Sequence, residues 1–162
     1  MFYLLPLTET ISLNTDFQAD GIIVFQSATL DLNPSQTGTN TIDNTAVNLL
    51  HSGDYLLHVS IRRRENAIVF NSRAANGNWG TEERETLDGR FVGPNTTITV
   101  YDHGDRYQIL FDYHTVHYYN KRIQKNADSI SYTINQGQTP PFSNPLAVTT
   151  YSTMPELVAA GE

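Results

Sequence analysis

The chain contains no cysteine. That excludes a disulfide framework and thiol catalysis. Basic residues are scarce, ten against seventeen acidic ones, for a net charge of −7. Nucleic-acid backbones are held by cationic surface, so nucleic acid is excluded as the main partner. One basic run exists, Arg62-Arg63-Arg64, but strand alternation turns Arg63 away from its neighbours. No apolar stretch approaches the roughly 20 residues that cross a bilayer, so no membrane insertion is expected. Met1-Phe-Tyr-Leu-Leu-Pro-Leu has no basic start and runs straight into Thr8-Glu9. It reads as a first strand, and synthesis in the cytosol without a signal peptide is expected. Helical stripes are missing too, with at most one short turn over Gln124 to Ala127. His114-Thr-Val-His117 places its imidazoles on opposite faces of a strand, against the geometry of a shared ion. No metal and no cofactor are expected.

Short runs of alternating polarity are abundant. Ile22 to Phe25, Ala46 to Leu50, Thr97 to Tyr101, Tyr107 to Asp112, Val116 to Tyr119 and Ser129 to Ile134 are predicted strands. Asp102-His-Gly-Asp105 marks a hairpin loop. Asp31 to Asn44 is a long polar loop. Gly137 to Pro145 crosses an end of the fold before a last strand near Leu146 to Tyr151. Met154 to Glu162 is expected to be loosely held. Many short strands separated by turn signals predict an all-β sandwich or barrel. The 162 residues show no break in composition and no repeat, which predicts one domain over 1–162.

Chemistry concentrates between His58 and Arg84. Leu57, Val59 and Ile61 alternate with His58, Ser60 and Arg62, so one set can enter a core while the other forms a polar row. Ala67 to Arg73 repeats the pattern and puts Asn71 beside that row, with Arg63 to Asn66 as the hairpin connection. After the Asn76-Gly77-Asn78 turn signal comes Trp79, the only tryptophan, and then Glu82 and Arg84, two apart on one face. Forked donors, acceptors and one flat apolar ring suit a neutral, hydroxyl-rich ligand. Each feature has a plainer reading: a core-edge indole, a solvated Arg/Glu ladder, a surface histidine. Their convergence on one face of consecutive strands favours a site.

These residues also carry a resemblance. His58-x-x-x-Arg62, Val69-x-Asn71-Ser72 and Trp79-Gly-x-Glu82-x-Arg84 resemble the galectin carbohydrate-binding signature, with Ser60 where the animal form has Asn. Asp102 to Ile109 and Tyr118 to Ile123 resemble the mushroom members. Ile42 to Thr45, Ile61 to Ala67 and Gly137 to Ser143 resemble the inky-cap branch that binds chitooligosaccharides. Trp79 departs from that branch, which has arginine there, and matches the galactoside-binding form.

The resemblance implies a jelly roll of two antiparallel sheets and a lectin for β-galactosides such as lactose and N-acetyllactosamine-type glycans. Chitooligosaccharides are the alternative ligand. It assigns His58, Asn71 and Arg62 to the axial O4 of galactose, and Asn71 and Glu82 to O6. Arg62, Glu82 and Arg84 form a charged chain reaching the second sugar. Trp79 stacks on the bare C3–C5 face. Ser60 is a further candidate contact, and Asn44, Ala46 and Asn48 are candidates for an extended subsite. The resemblance further implies a homo-oligomer, a tetramer, that cross-links glycans, and a role in defence. A galectin can leave the cell without a signal peptide, so an extracellular destination is compatible.

A glycosidase is the contrasting class. Adjacent Glu82 and Glu83 face opposite ways on a strand and cannot flank one bond. Guanidinium partners lower the pKa of Glu82, the wrong direction for a general acid. A structural module that has lost sugar binding would need a broken motif.

Overall fold

Alternating polarity is realised as strands almost throughout. The computed structural model describes residues 1–34 and 42–161. In chain order the strands are β1 (Phe2–Leu5), β2 (Thr10–Phe17), β3 (Ile22–Ser27), β4 (Thr45–His51), β5 (Asp54–Arg62) and β6 (Ala67–Arg73). They continue with β7 (Glu83–Thr86), β8 (Thr96–Asp102), β9 (Arg106–Phe111), β10 (His114–Asn120), β11 (Ala127–Ile134) and β12 (Leu146–Tyr151), followed by a helix, α1 (Met154–Ala159). The strands form two six-stranded sheets, ordered β1-β12-β3-β8-β9-β10 and β2-β11-β4-β5-β6-β7. All pairings are antiparallel.

The inner faces of both sheets share one apolar core. Leu57, Val59, Ile61, Ile68 and Phe70 from the second sheet join Ile98, Val100, Ile109, Phe111 and Tyr119 from the first. At one end Phe91 stacks on Phe111, centroids 4.4 Å apart. This two-layer arrangement of antiparallel sheets is the expected all-β sandwich.

The structure adds two elements and removes one expected turn. The edge strand β2 carries few buried side chains, so its sequence holds little of the alternation that marks a strand. Residues 154–159, expected to be loosely held, form α1, with Thr153 as N-cap accepting from the Glu156 amide and a proline in the first turn. Gln124 to Ala127 is not a turn: Ala127 opens β11. Of the expected loop from Asp31 to Asn44, residues 35–41 lie outside the described residues.

The run β4-β5-β6-β7 positions the site. Ser52 and Gly53, at φ of 46° and 90°, link β4 to β5 by a two-residue turn of the kind that sets hairpin register. His58 then lies between Asn48 and Asn71, Ser60 between Ala46 and Val69, and Val69 opposite Arg84. The β5–β6 connection is anchored by Arg63. Its buried guanidinium meets Asp43 at 2.7 Å and donates to the carbonyls of Asp31, Asn33 and Thr139. Its turn away from Arg62 and Arg64, expected from alternation, makes it a structural residue.

Candidate functional site

The outer face of β4 to β7 carries an open groove of about 320 Å³, lined by Asn44, His58, Arg62, Val69, Asn71, Trp79, Gly80 and Glu82. Val69 forms an apolar floor, and polar side chains form the walls.

His58 presents one defined nitrogen to this groove. Its Nδ1 lies 2.6 Å from Asn48 Oδ1, while Asn48 Nδ2 donates to Ser131 Oγ and Thr133 Oγ1. The Asn48 oxygen is therefore an acceptor, Nδ1 carries the proton, and Nε2 is left as an acceptor. Burial, followed by the nearby Arg62 charge, pushes the pKa of His58 down to about 3. The ring is neutral at physiological pH. Asn48 itself is 1 % exposed and acts beneath the groove, through His58.

Opposite His58 stands a closed ring of charges. Arg62 pairs with Glu65 at 3.4 Å and Glu82 at 3.2 Å; Arg84 pairs with Glu65 at 2.9 Å and Glu82 at 2.8 Å. Each guanidinium is held in place by two carboxylates, which aims its remaining N–H groups. The bond from Arg84, with Arg62 nearby, lowers the pKa of Glu82 and keeps it an ionised acceptor. Ser60 is fully buried: it donates to Asn44 Oδ1 at 2.5 Å and accepts from Arg62 Nε at 3.1 Å. Ala46, opposite it, is buried as well.

Trp79 forms the last wall. It sits in the connection between β6 and β7 and remains 41 % exposed. Its indole lies 4.6 Å from the His58 ring and 5.1 Å from Tyr55, centroid to centroid, and the Arg73 guanidinium carbon is 5.0 Å from the indole centroid. These contacts hold an exposed ring in one orientation, so little freedom remains to be lost on stacking.

A model of the family described as galactoside-binding lectin matches residues 9–139. The chain belongs to the galactoside-binding lectin family. It is a carbohydrate-binding lectin and not an enzyme. Galectin-1 of Coprinopsis cinerea is 45 % identical over 161 residues, 99 % of this chain and all of that protein. Galectin-2 of the same organism is 43 % identical over the same span. Among solved structures, the Caenorhabditis elegans galectin LEC-6 superposes with a TM-score of 0.68 at 17 % identity, covering 93 % of this chain and 95 % of that one. This last likeness speaks for the fold.

The lectin brings together His58, Arg62, Asn71, Trp79, Glu82 and Asn44 around one groove, with Arg84 at its rim. Ser60, Ala46 and Asn48 lie below the surface. Sequence reasoning missed Glu65, Tyr55 and Arg73, although all three lie in the same hairpin. His114 and His117 both lie on β10, with a bulge between Thr115 and His117. His117 reaches β7, where its Nε2 meets Glu83 at 2.7 Å and its Nδ1 meets Glu85 at 2.8 Å. Among the described residues no group of His, Asp and Glu is arranged to hold a metal ion.

Proposed function

We propose that the lectin binds β-galactosides of the lactose and N-acetyllactosamine type, without a metal. The observation that carries this reading is the indole of Trp79 held against a wall made of neutral His58 and Arg62. A galactose ring laid on the indole buries its bare C3–C5 face. Its axial O4 can then donate to His58 Nε2 and accept from Arg62. An equatorial O4 cannot meet both partners while the ring stays stacked, and unpaired buried donors penalise such a ligand. Asn71 and Glu82 take O6, and Arg62, Glu82 and Arg84 reach the second sugar.

Chitooligosaccharides are the second reading. Asn44 belongs to a segment shared with the chitooligosaccharide-binding branch, and its side chain lines the groove. Titration calorimetry of lactose and chitotriose against the wild type and Trp79→Arg separates the two. Stacking contributes on the order of 0.5–1.5 kcal/mol beyond area burial. Wild type is expected to prefer lactose, and Trp79→Arg to lose about tenfold or more of that affinity while keeping or gaining chitotriose binding. An unchanged lactose affinity in Trp79→Arg would overturn the stacking argument.

A further inference from the structure

One side chain outside the groove bears on it from the other sheet. Arg122 follows β10, in the connection that carries the chain across to β11. Its Nη1 donates to Asn71 Oδ1 at 2.9 Å, and its Nη2 donates to the Thr81 carbonyl at 2.6 Å and to Glu83 Oε2 at 3.0 Å. Its guanidinium carbon lies 5.0 Å from the centroid of the buried Tyr119 ring. It is not part of the groove lining.

The Asn71 amide can point only one way. Its oxygen receives two donors, Arg122 Nη1 and the Ser72 backbone N–H, the latter at 2.9 Å. Exchanging oxygen and nitrogen would set an NH₂ group against both donors, leaving three groups unsatisfied. In the orientation observed, one Nδ2 hydrogen goes to the Gly80 carbonyl at 2.8 Å. The other is left for a ligand. Because Asn71 lines the groove, that hydrogen is a donor to whatever occupies it.

The same guanidinium holds the segment that carries Trp79 and Glu82. Residues 79–82 lie outside any strand, so backbone pairing does not set their position. Their fixed points are the Gly80 amide on Ser72 at 3.3 Å, the Gly80 carbonyl on Asn71, and the Thr81 carbonyl on Arg122. Gly80 is the close-approach residue: a Cβ there would lie 2.7 Å from Arg122 Nη1 and 3.3 Å from Asn71 Oδ1. Any larger residue would push the guanidinium away.

We propose that Arg122 is a positioning residue for glycan recognition: together with the Ser72 amide and the Gly80 carbonyl it sets the polarity of the Asn71 amide, and it sets the height of the Trp79–Glu82 segment over the groove. A planar fork is required, because the two acceptors, Asn71 Oδ1 and the Thr81 carbonyl, are met by different nitrogens of one rigid group. The proposal rests on the galactoside reading for its ligand readout, and a ligand-free readout separates the two.

The test compares wild type with Arg122→Met and Arg122→Lys. Calorimetry uses lactose and 6′-deoxylactose, which lacks the hydroxyl assigned to Asn71 and Glu82. Loss of that hydroxyl should weaken wild-type binding about tenfold or more. In Arg122→Met, lactose should bind about tenfold or more weakly, and the deoxy penalty should shrink below about threefold, since Asn71 and the segment that carries Glu82 are no longer held in place against O6. Arg122→Lys keeps the charge without the fork and should fall between the two. It also keeps the test open if the methionine variant does not fold. Without ligand, emission of Trp79, the only tryptophan, should shift to the red and become more accessible to acrylamide in both variants. Unchanged quenching together with a full deoxy penalty, with or without a loss of affinity, would show a merely structural residue and overturn the proposal. If wild type binds no lactose, the galactoside reading fails, while the quenching comparison still decides the part played by Arg122.

Discussion

At the scale of single residues, the site is defined by which atoms can still accept or donate. His58 shows this most directly, because its buried neutral ring has a consequence for pH. Its pKa of about 3 lies below the ordinary value of 6.5. Between those values the unfolded chain binds a proton that the folded chain refuses, so stability is full above about pH 6.5 and falls as pH drops toward 3. The loss is on the order of a few kcal/mol if His58 alone is counted. Urea titrations from pH 7 to pH 4 should show this decline, and His58→Gln should flatten it. An identical slope in His58→Gln would place the acid sensitivity elsewhere. Trp79 illustrates the complementary case of an exposed apolar ring held by Tyr55, His58 and Arg73. On the galactoside reading proposed above its identity matters, because a guanidinium at that position would cover the bare face of galactose poorly.

At the scale of elements, the β5–β6 hairpin is the frame of the site, and a buried ion pair locks its turn. Arg63 is sealed from solvent and paired with Asp43, which also accepts the Arg63 backbone amide at 2.8 Å. Removing one partner of a buried pair leaves an uncompensated charge, at a cost of about 3–5 kcal/mol. Asp43→Ala is therefore expected to lower the unfolding free energy from denaturant titration by that amount. The double change Asp43→Leu with Arg63→Met should recover part of it. A loss under about 1 kcal/mol in Asp43→Ala would mean that water reaches Arg63. The hairpin itself was legible, since the alternation of Leu57 to Arg62 and of Ile68 to Arg73 is a local property. The edge strand β2 and the helix α1 were not. An edge strand needs only one paired side, and α1 has no buried residue, so neither leaves a strong apolar period in the sequence.

At the scale of the whole molecule, the two sheets are stitched together beside the groove. His117 on β10 stacks on Phe70 of β6, centroids 4.4 Å apart, and bridges Glu83 and Glu85 of β7. Arg122 extends this seam to Asn71. A single open groove gains avidity only by multiplication. The tetramer implied by resemblance predicts red-cell agglutination that lactose inhibits, with sedimentation showing an assembly of several chains at the same concentration. A monomer without agglutinating activity would remove cross-linking and leave sugar recognition standing. No described helix is long and apolar enough to cross a membrane.

Sequence alone determined which side chains of one strand share a face. Alternation with period two puts His58 and Arg62 together, the hairpin pattern puts Asn71 beside them, and the spacing from Trp79 to Arg84 completed the motif. Tertiary structure decided what each of those groups can offer a ligand. The free nitrogen of His58 depends on Asn48, and Asn48 depends on Ser131 and Thr133 across the β4–β11 pairing. The free hydrogen of Asn71 depends on Ser72, Gly80 and Arg122, the last reaching in from the β10–β11 connection. Hydrogen-bond direction is set by the partners that surround a group, and Ser131, Thr133 and Arg122 are brought to these groups from far along the chain only by the fold.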